Sequence, residues 1–143
     1  LIVVTNSIGA AQALANHNGN RVHLLGGELQ SNERGTFGFV AEQQVRRFAL
    51  DLAILSADAF SAKQGVLYHS AAEAQLAGVV ADCTEQVALA MAHPKFAESA
   101  PHCGPSPRKI SLLFTDRRPD KKLSAALAGW GVKVDVAPGG KDD

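Results

Sequence analysis

Short apolar runs alternate with amphipathic stretches along the chain. Six of the runs read as strands: Leu1 to Val4, Val22 to Leu25, Leu52 to Leu55, Val87 to Met91, Ile110 to Phe114 and Val132 to Val136. Most are apolar throughout, as expected of strands covered on both faces. Val132-Lys133-Val134-Asp135-Val136 alternates instead, which predicts a half-exposed edge strand. Between the strands, three segments repeat the i, i+3, i+4, i+7 spacing of one buried helical face. They are Ala41, Gln44, Val45, Phe48, then Leu76, Val79, Val80, Cys83, then Leu123, Ala126, Leu127, Trp130, with Gln44 interrupting the first. Ile8, Ala11, Leu14 and Ala15 form a shorter stripe behind Ser7, and Ser70 with Glu73 has the spacing of a capping box, predicting a helix start near Ala71. Strands alternating with helices imply right-handed crossovers and a three-layer α/β fold on a mainly parallel sheet. Ligands of such sheets bind in the loops beyond the carboxyl ends of the strands.

Those loops carry the candidate chemistry. The first strand runs into Thr5-Asn6-Ser7 and then a helix, placing small polar side chains and backbone N–H groups where a phosphate can sit. Asn6 or Ser7 could equally cap that helix, and both roles can coexist. The second strand ends in Gly26-Gly27-Glu28-Leu29, where paired glycines permit either a close ligand or a tight turn. Arg34-Gly35-Thr36-Phe37-Gly38 follows, readable as a binding loop or as ordinary surface. After the third strand Asp58 is placed to accept hydroxyls of a ligand, or to serve as a turn or cap aspartate. After the fourth, in Ala92-His93-Pro94-Lys95-Phe96, Lys95 is the best charge partner for a phosphate, although most single lysines are solvated surface.

Composition narrows the classes. A length of 143 residues suits one compact domain, with 46% hydrophobic and 20% charged residues. Lysine plus arginine equal aspartate plus glutamate at 14 each, so the basic excess of a DNA-binding surface is missing and any DNA contact must come from elsewhere. No apolar stretch approaches the roughly 20 residues of a membrane span, so no membrane partner is expected. Cys83 and Cys103 lack zinc or redox spacing and fit free thiols in a reducing cytoplasm. His17, His23, His69, His93 and His102 are scattered singly, so neither a metal nor another cofactor is expected. The start at Leu1, directly on an apolar strand, reads as an excised fragment, and residues 138–143 read as a polar tail after a domain over 1–137.

Taken in order, the strand-end motifs resemble the C-terminal effector-sensing domain of DeoR-type transcriptional regulators of sugar metabolism. The matching stretches are Val3-Val4-Thr5-Asn6-Ser7, Leu24-Leu25-Gly26-Gly27-Glu28-Leu29, Gly38 before a helix, Leu55-Ser56-Ala57-Asp58, Gly65, His93-Pro94-Lys95-Phe96 and Phe114-Thr115-Asp116. They span Leu1 to about Ala137. The resemblance implies a Rossmann-like fold shared with ribose-5-phosphate isomerase, a sugar-phosphate effector, and a DNA-binding helix-turn-helix that this chain does not contain. It places Asn6, Ser7, Gly27, Asp58 and Lys95 at the effector site, and a homo-oligomer is expected. Ser56 and Ala59 stand where the family usually has glycines, and Ala92 where it has an aspartate. The family's first strand and Gly-Thr-Thr phosphate loop would precede Leu1. Without that strand, those at Leu1 to Val4 and Leu52 to Leu55 should pair directly or around an inserted strand.

Two other functions compete with sensing. A sugar-phosphate isomerase would need a positioned base with a tuning partner. The nearest second carboxylate, Asp51, stands roughly 20 Å from Asp58 along the strand, and Ala92 removes another. A domain that only oligomerises would need none of the retained polar residues. The expected function is therefore the ligand-sensing part of a repressor of carbohydrate metabolism, and not an enzyme.

Overall fold

A computed structural model describes residues 1–32 and 34–139. It divides into two compact units, Leu1–Ala49 and the chain from Leu50 onward. The expected tail at 138–143 lies outside the described residues beyond Gly139, and Pro138-Gly139 form a turn.

The first unit opens with a βαβ element: β1 (Ile2–Thr5), α1 (Ile8–Leu14) and β2 (Arg21–Leu24), the two strands parallel with Val3 opposite Val22. An antiparallel hairpin follows, β3 (Glu28–Gln30) and β4 (Gly35–Phe37), and then α2 (Phe39–Val45). Leu25, Phe37, Ala41 and Val45 are its buried apolar residues. The stripe predicted behind Ser7 forms α1, though none of its residues is fully buried. The α2 stripe ends at Val45, leaving Phe48 beyond the helix. Gln44, which interrupted that stripe, accepts the Gly26 N–H on Oε1 at 2.6 Å, so its polarity serves the loop after β2.

The second unit is built on a parallel sheet ordered β11-β10-β8-β5, from β5 (Leu50–Leu55), β8 (Thr84–Ala90), β10 (Leu112–Thr115) and β11 (Lys133–Val136). Its two helices, α3 (Ala71–Asp82) and α4 (Lys121–Trp130), cover one face. That follows from register. Leu55, Leu89, Leu113 and Val134 lie side by side across the four strands and share one core with Ala74, Ala77, Leu123 and Leu127 of the helices. All three crossovers step across the sheet in the same direction, and right-handed crossovers of that kind put their helices on the same side. A small antiparallel sheet, β6 (Ala59–Ser61), β7 (Gly65–Tyr68) and β9 (His102–Cys103), adds Phe60, Val66 and Tyr68 to this core.

The helix ends are where the capping rules place them. Ser70 Oγ accepts the Glu73 N–H at 3.2 Å, starting α3 at Ala71. Asp120 Oδ1 accepts the Leu123 N–H at 2.8 Å, and α4 stops at Gly131, whose φ of +78° is the left-handed conformation that ends helices.

The fold is the mixed α/β, mainly parallel class that the pattern predicts and the Rossmann-like one that the resemblance implies, with one correction. β5 is not covered on both faces, since Leu52 and Ile54 are 50% and 70% exposed. A continuous apolar run reports what a strand could bury, not what lies against it. Within the first unit β1 pairs with β2, and within the second β5 pairs with β8 at the edge of its sheet. The short antiparallel elements were not predicted, because three-residue strands are too short to show a period.

Candidate functional site

In the second unit three loops meet at the carboxyl end of the parallel sheet. Beyond β5, Asp58 is half-buried. Its backbone N–H donates to the Leu67 carbonyl at 3.0 Å, and its Oδ2 accepts the His69 N–H at 2.8 Å. One oxygen thus holds the end of β7, the turn role weighed for this residue. Beyond β8 the chain turns through a 3-10 segment, His93–Ala97. The Lys95 ammonium donates to the Ala57 carbonyl at 2.8 Å, which places it at the residue preceding Asp58. Strand order explains the meeting: β8 is bonded directly to β5, so their carboxyl-terminal loops are neighbours. An ammonium has three donors, and one of them is used among the described residues.

On the other side of β8 the same turn meets β10. His93 gives two hydrogen bonds to one carboxylate, its backbone N–H to Asp116 Oδ1 and its ring Nδ1 to Asp116 Oδ2, both at 2.7 Å. An ionised carboxylate only accepts, so Nδ1 carries the proton. The His93 ring bond and then its backbone bond hold the Asp116 carboxyl down at about 2, from an ordinary value of 3.8. In the sequence His93 stands out only as one of five scattered histidines and as part of His93-Pro94-Lys95-Phe96, and Asp116 only as part of Phe114-Thr115-Asp116. The signal lay in topology: Ala90 is opposite Phe114, so residues just beyond those positions must lie side by side. A cavity of about 600 Å³ opens beside this pair, lined by Ala90, Met91, Phe114, Asp116, Asp135 and Ala137.

Tyr68 is 1% exposed and its hydroxyl has no hydrogen-bond partner among the described residues. Burial first, then the Glu73 and Asp58 carboxylates, push its ionisation upward, so it stays a neutral phenol. Among the described residues no group of three or more His, Cys, Asp or Glu could hold a metal, and no helix is long and apolar enough to cross a membrane.

The other three predicted residues belong to the first unit. Ser7 Oγ accepts the Ala10 N–H at 3.2 Å and caps α1. Asn6 Nδ2 donates to the Thr36 carbonyl at 3.0 Å, and the Asn6 carbonyl accepts the Thr36 N–H at 3.0 Å, stitching the end of β1 to β4. Gly27 has φ +124°, and a Cβ there would lie 2.6 Å from the Phe37 carbonyl oxygen. The bare backbone is therefore needed for hairpin packing whatever else approaches it. The structure thus brings Asp58 and Lys95 together, and places Asn6, Ser7 and Gly27 together around the ends of β1 and β2.

The sequence profile described as the DeoR C terminal sensor domain matches residues 1–117. The chain belongs to this family. The profile stops just past Asp116, so α4 and β11 lie beyond it, short of the Ala137 to which the motif resemblance extends. Individual relatives reach further. This sensor domain is 27% identical over 132 residues to the HTH-type transcriptional repressor GlcR of Bacillus subtilis (strain 168), covering 92% of this chain and 51% of that protein. It is 24% identical over 136 residues to the glycerol-3-phosphate regulon repressor of Escherichia coli (strain K12), covering 95% and 54%. It is 26% identical over 134 residues to the HTH-type transcriptional repressor CsqR of the same organism, covering 94% and 51%. The chain spans about half the length of the curated relatives it matches. Their names mark them as repressors, which favours a regulator over an enzyme.

Proposed function

We propose that this sensor domain binds a sugar phosphate at the carboxyl ends of its strands. Occupancy of that site then controls operator binding by a helix-turn-helix domain of the same cytoplasmic regulator of carbohydrate metabolism. The observation that carries this reading is the Lys95 ammonium, tethered at 2.8 Å to the Ala57 carbonyl with donors to spare, beside the half-buried Asp58. A cation next to a carboxylate suits a ligand that joins a phosphate to hydroxyl groups. One relative is named for the glycerol-3-phosphate regulon, a phosphorylated polyol of this chemistry. In this reading Asp58 and Lys95 supply the charged contacts in the second unit, while Asn6, Ser7 and Gly27 offer polar and backbone groups for ligand binding at the strand ends of the first unit. The protein forms a homo-oligomer, consistent with the exposure of Phe39, Val40, Leu52 and Ile54.

Calorimetry of the full-length regulator against a panel of sugar phosphates tests the proposal. At least one should bind, and Lys95→Ala should weaken it about tenfold to a hundredfold, the value of a hydrogen bond to a charged group. Binding by none, or an unchanged affinity in the variant, refutes it. No isomerase turnover is expected, and steady conversion of ribose 5-phosphate by purified protein would overturn the sensor reading.

A further inference from the structure

We infer that His93 is a positioning residue: gripped by Asp116, it holds the turn after β8 so that Lys95 is presented at the end of β5. The inference rests on the proposed effector site for its functional meaning, and on geometry for its content. β8 lies between β10 and β5, and the five-residue turn His93–Ala97 is fastened to both neighbours. On one side His93 makes its two 2.7 Å bonds to Asp116, and on the other Lys95 makes its 2.8 Å bond to the Ala57 carbonyl.

The fastening on the β10 side has an unusual form for an exposed pair. The His93 and Asp116 side chains are 37% and 49% exposed, and a single ion pair in that setting contributes little, because water competes for both partners. Here, however, the backbone and the ring of one residue bind the two oxygens of one carboxylate. That closes a ring which fixes the Asp116 carboxylate and the His93 backbone together, so the contact constrains direction more than it adds stability. Pro94 stands between the two fastenings with its φ locked near −65°, and Lys95 N–H closes the turn on the Ala92 carbonyl at 3.1 Å. Movement of residue 93 is therefore passed on to residue 95. A lysine side chain has four rotatable bonds, and it reaches one particular carbonyl only if its own backbone is held in place. Phe96 packs against the core of the second unit, so losing the His93 contact should re-aim the turn rather than unfold it.

The test reads Lys95 directly, without ligand. In the full chain, trace acetylation by acetic anhydride followed by mass spectrometry gives the reactivity of Lys95 relative to the exposed Lys133. His93→Ala should raise the Lys95 ratio about fivefold, as about one hydrogen bond's worth of restraint is lost. Asp116→Ala should do the same. His93→Asn should restore the wild-type ratio, because the asparagine amide can donate to Asp116 from the position of Nδ1. A purely structural role would raise in parallel the reactivity of Lys109, which is ion-paired with Asp82 elsewhere in the second unit, and no rise there is expected. A Lys95 ratio within twofold of wild type in His93→Ala, or no recovery in His93→Asn, overturns the inference. Calorimetry with the same panel of sugar phosphates is the separate functional arm: failure of the wild type to bind any of them counts against the effector reading, while the labelling still decides the role of His93.

Discussion

Phe60 offers a sharp test of how the second unit is held together. It is 0% exposed, and its ring stacks on Trp130 with centroids 6.0 Å apart and planes 6° apart. Phe60 comes from the small antiparallel sheet and Trp130 from the end of α4, so the pair joins the antiparallel sheet to the helical layer. Burying a phenylalanine contributes roughly 1.5 to 3 kcal/mol, and the cavity left by truncation raises the loss for Phe60→Ala to about 3 to 5 kcal/mol. Domains of this kind are stable by only about 5 to 15 kcal/mol, so the variant should remain folded but with a large part of its margin gone. Urea unfolding reads this cleanly, because Trp130 is the chain's single tryptophan and lies in the affected contact. With an m-value of about 2 kcal/mol per molar, a loss of about 4 kcal/mol lowers the midpoint by about 2 M. Phe60→Leu keeps the site apolar but loses the ring, its stacking and part of its volume, and should cost less than Phe60→Ala, about 1 to 3 kcal/mol. A midpoint shift below about 0.5 M for Phe60→Ala, at unchanged m, would show that this contact does not join the two layers.

Three further outcomes are expected. Asp120→Ala removes the cap on the Leu123 N–H and should cost about 1 kcal/mol in the same urea assay, and an unchanged midpoint would show that water serves as well. Gly27→Ala combines an unfavourable φ of +124° with a Cβ at 2.6 Å from the Phe37 oxygen and should cost about 2 to 4 kcal/mol by thermal unfolding; full stability would mean that the hairpin yields easily. The Asp116 carboxyl is depressed to about 2 from 3.8, so its contribution is fully present above the ordinary carboxylate range and is lost as pH falls from about 4 through 2. Carboxyl-detected NMR should find that low midpoint in the wild type and a rise toward 3.8 in His93→Ala, whereas a normal wild-type midpoint would remove His93 as its cause.

Several features were settled by the sequence alone, because each depends on neighbours only a few residues apart. The Ser70–Glu73 spacing locates the start of α3, Ser7 sits where a cap must sit, and the alternation from Val132 to Val136 marks β11 as an edge strand. The α/β alternation and the order of the strand-end motifs likewise point to the sensor family. Other features were decided by tertiary structure, because they depend on which strands become neighbours. Lys95 reaches Ala57 across 38 positions and His93 reaches Asp116 across 23, and both follow from the placement of β8 between β5 and β10. Gln44 appears as a defect in an apolar stripe until the Gly26 N–H is seen against it. The exposure of Leu52 and Ile54 was equally invisible, since an apolar side chain carries no record of whether anything covers it.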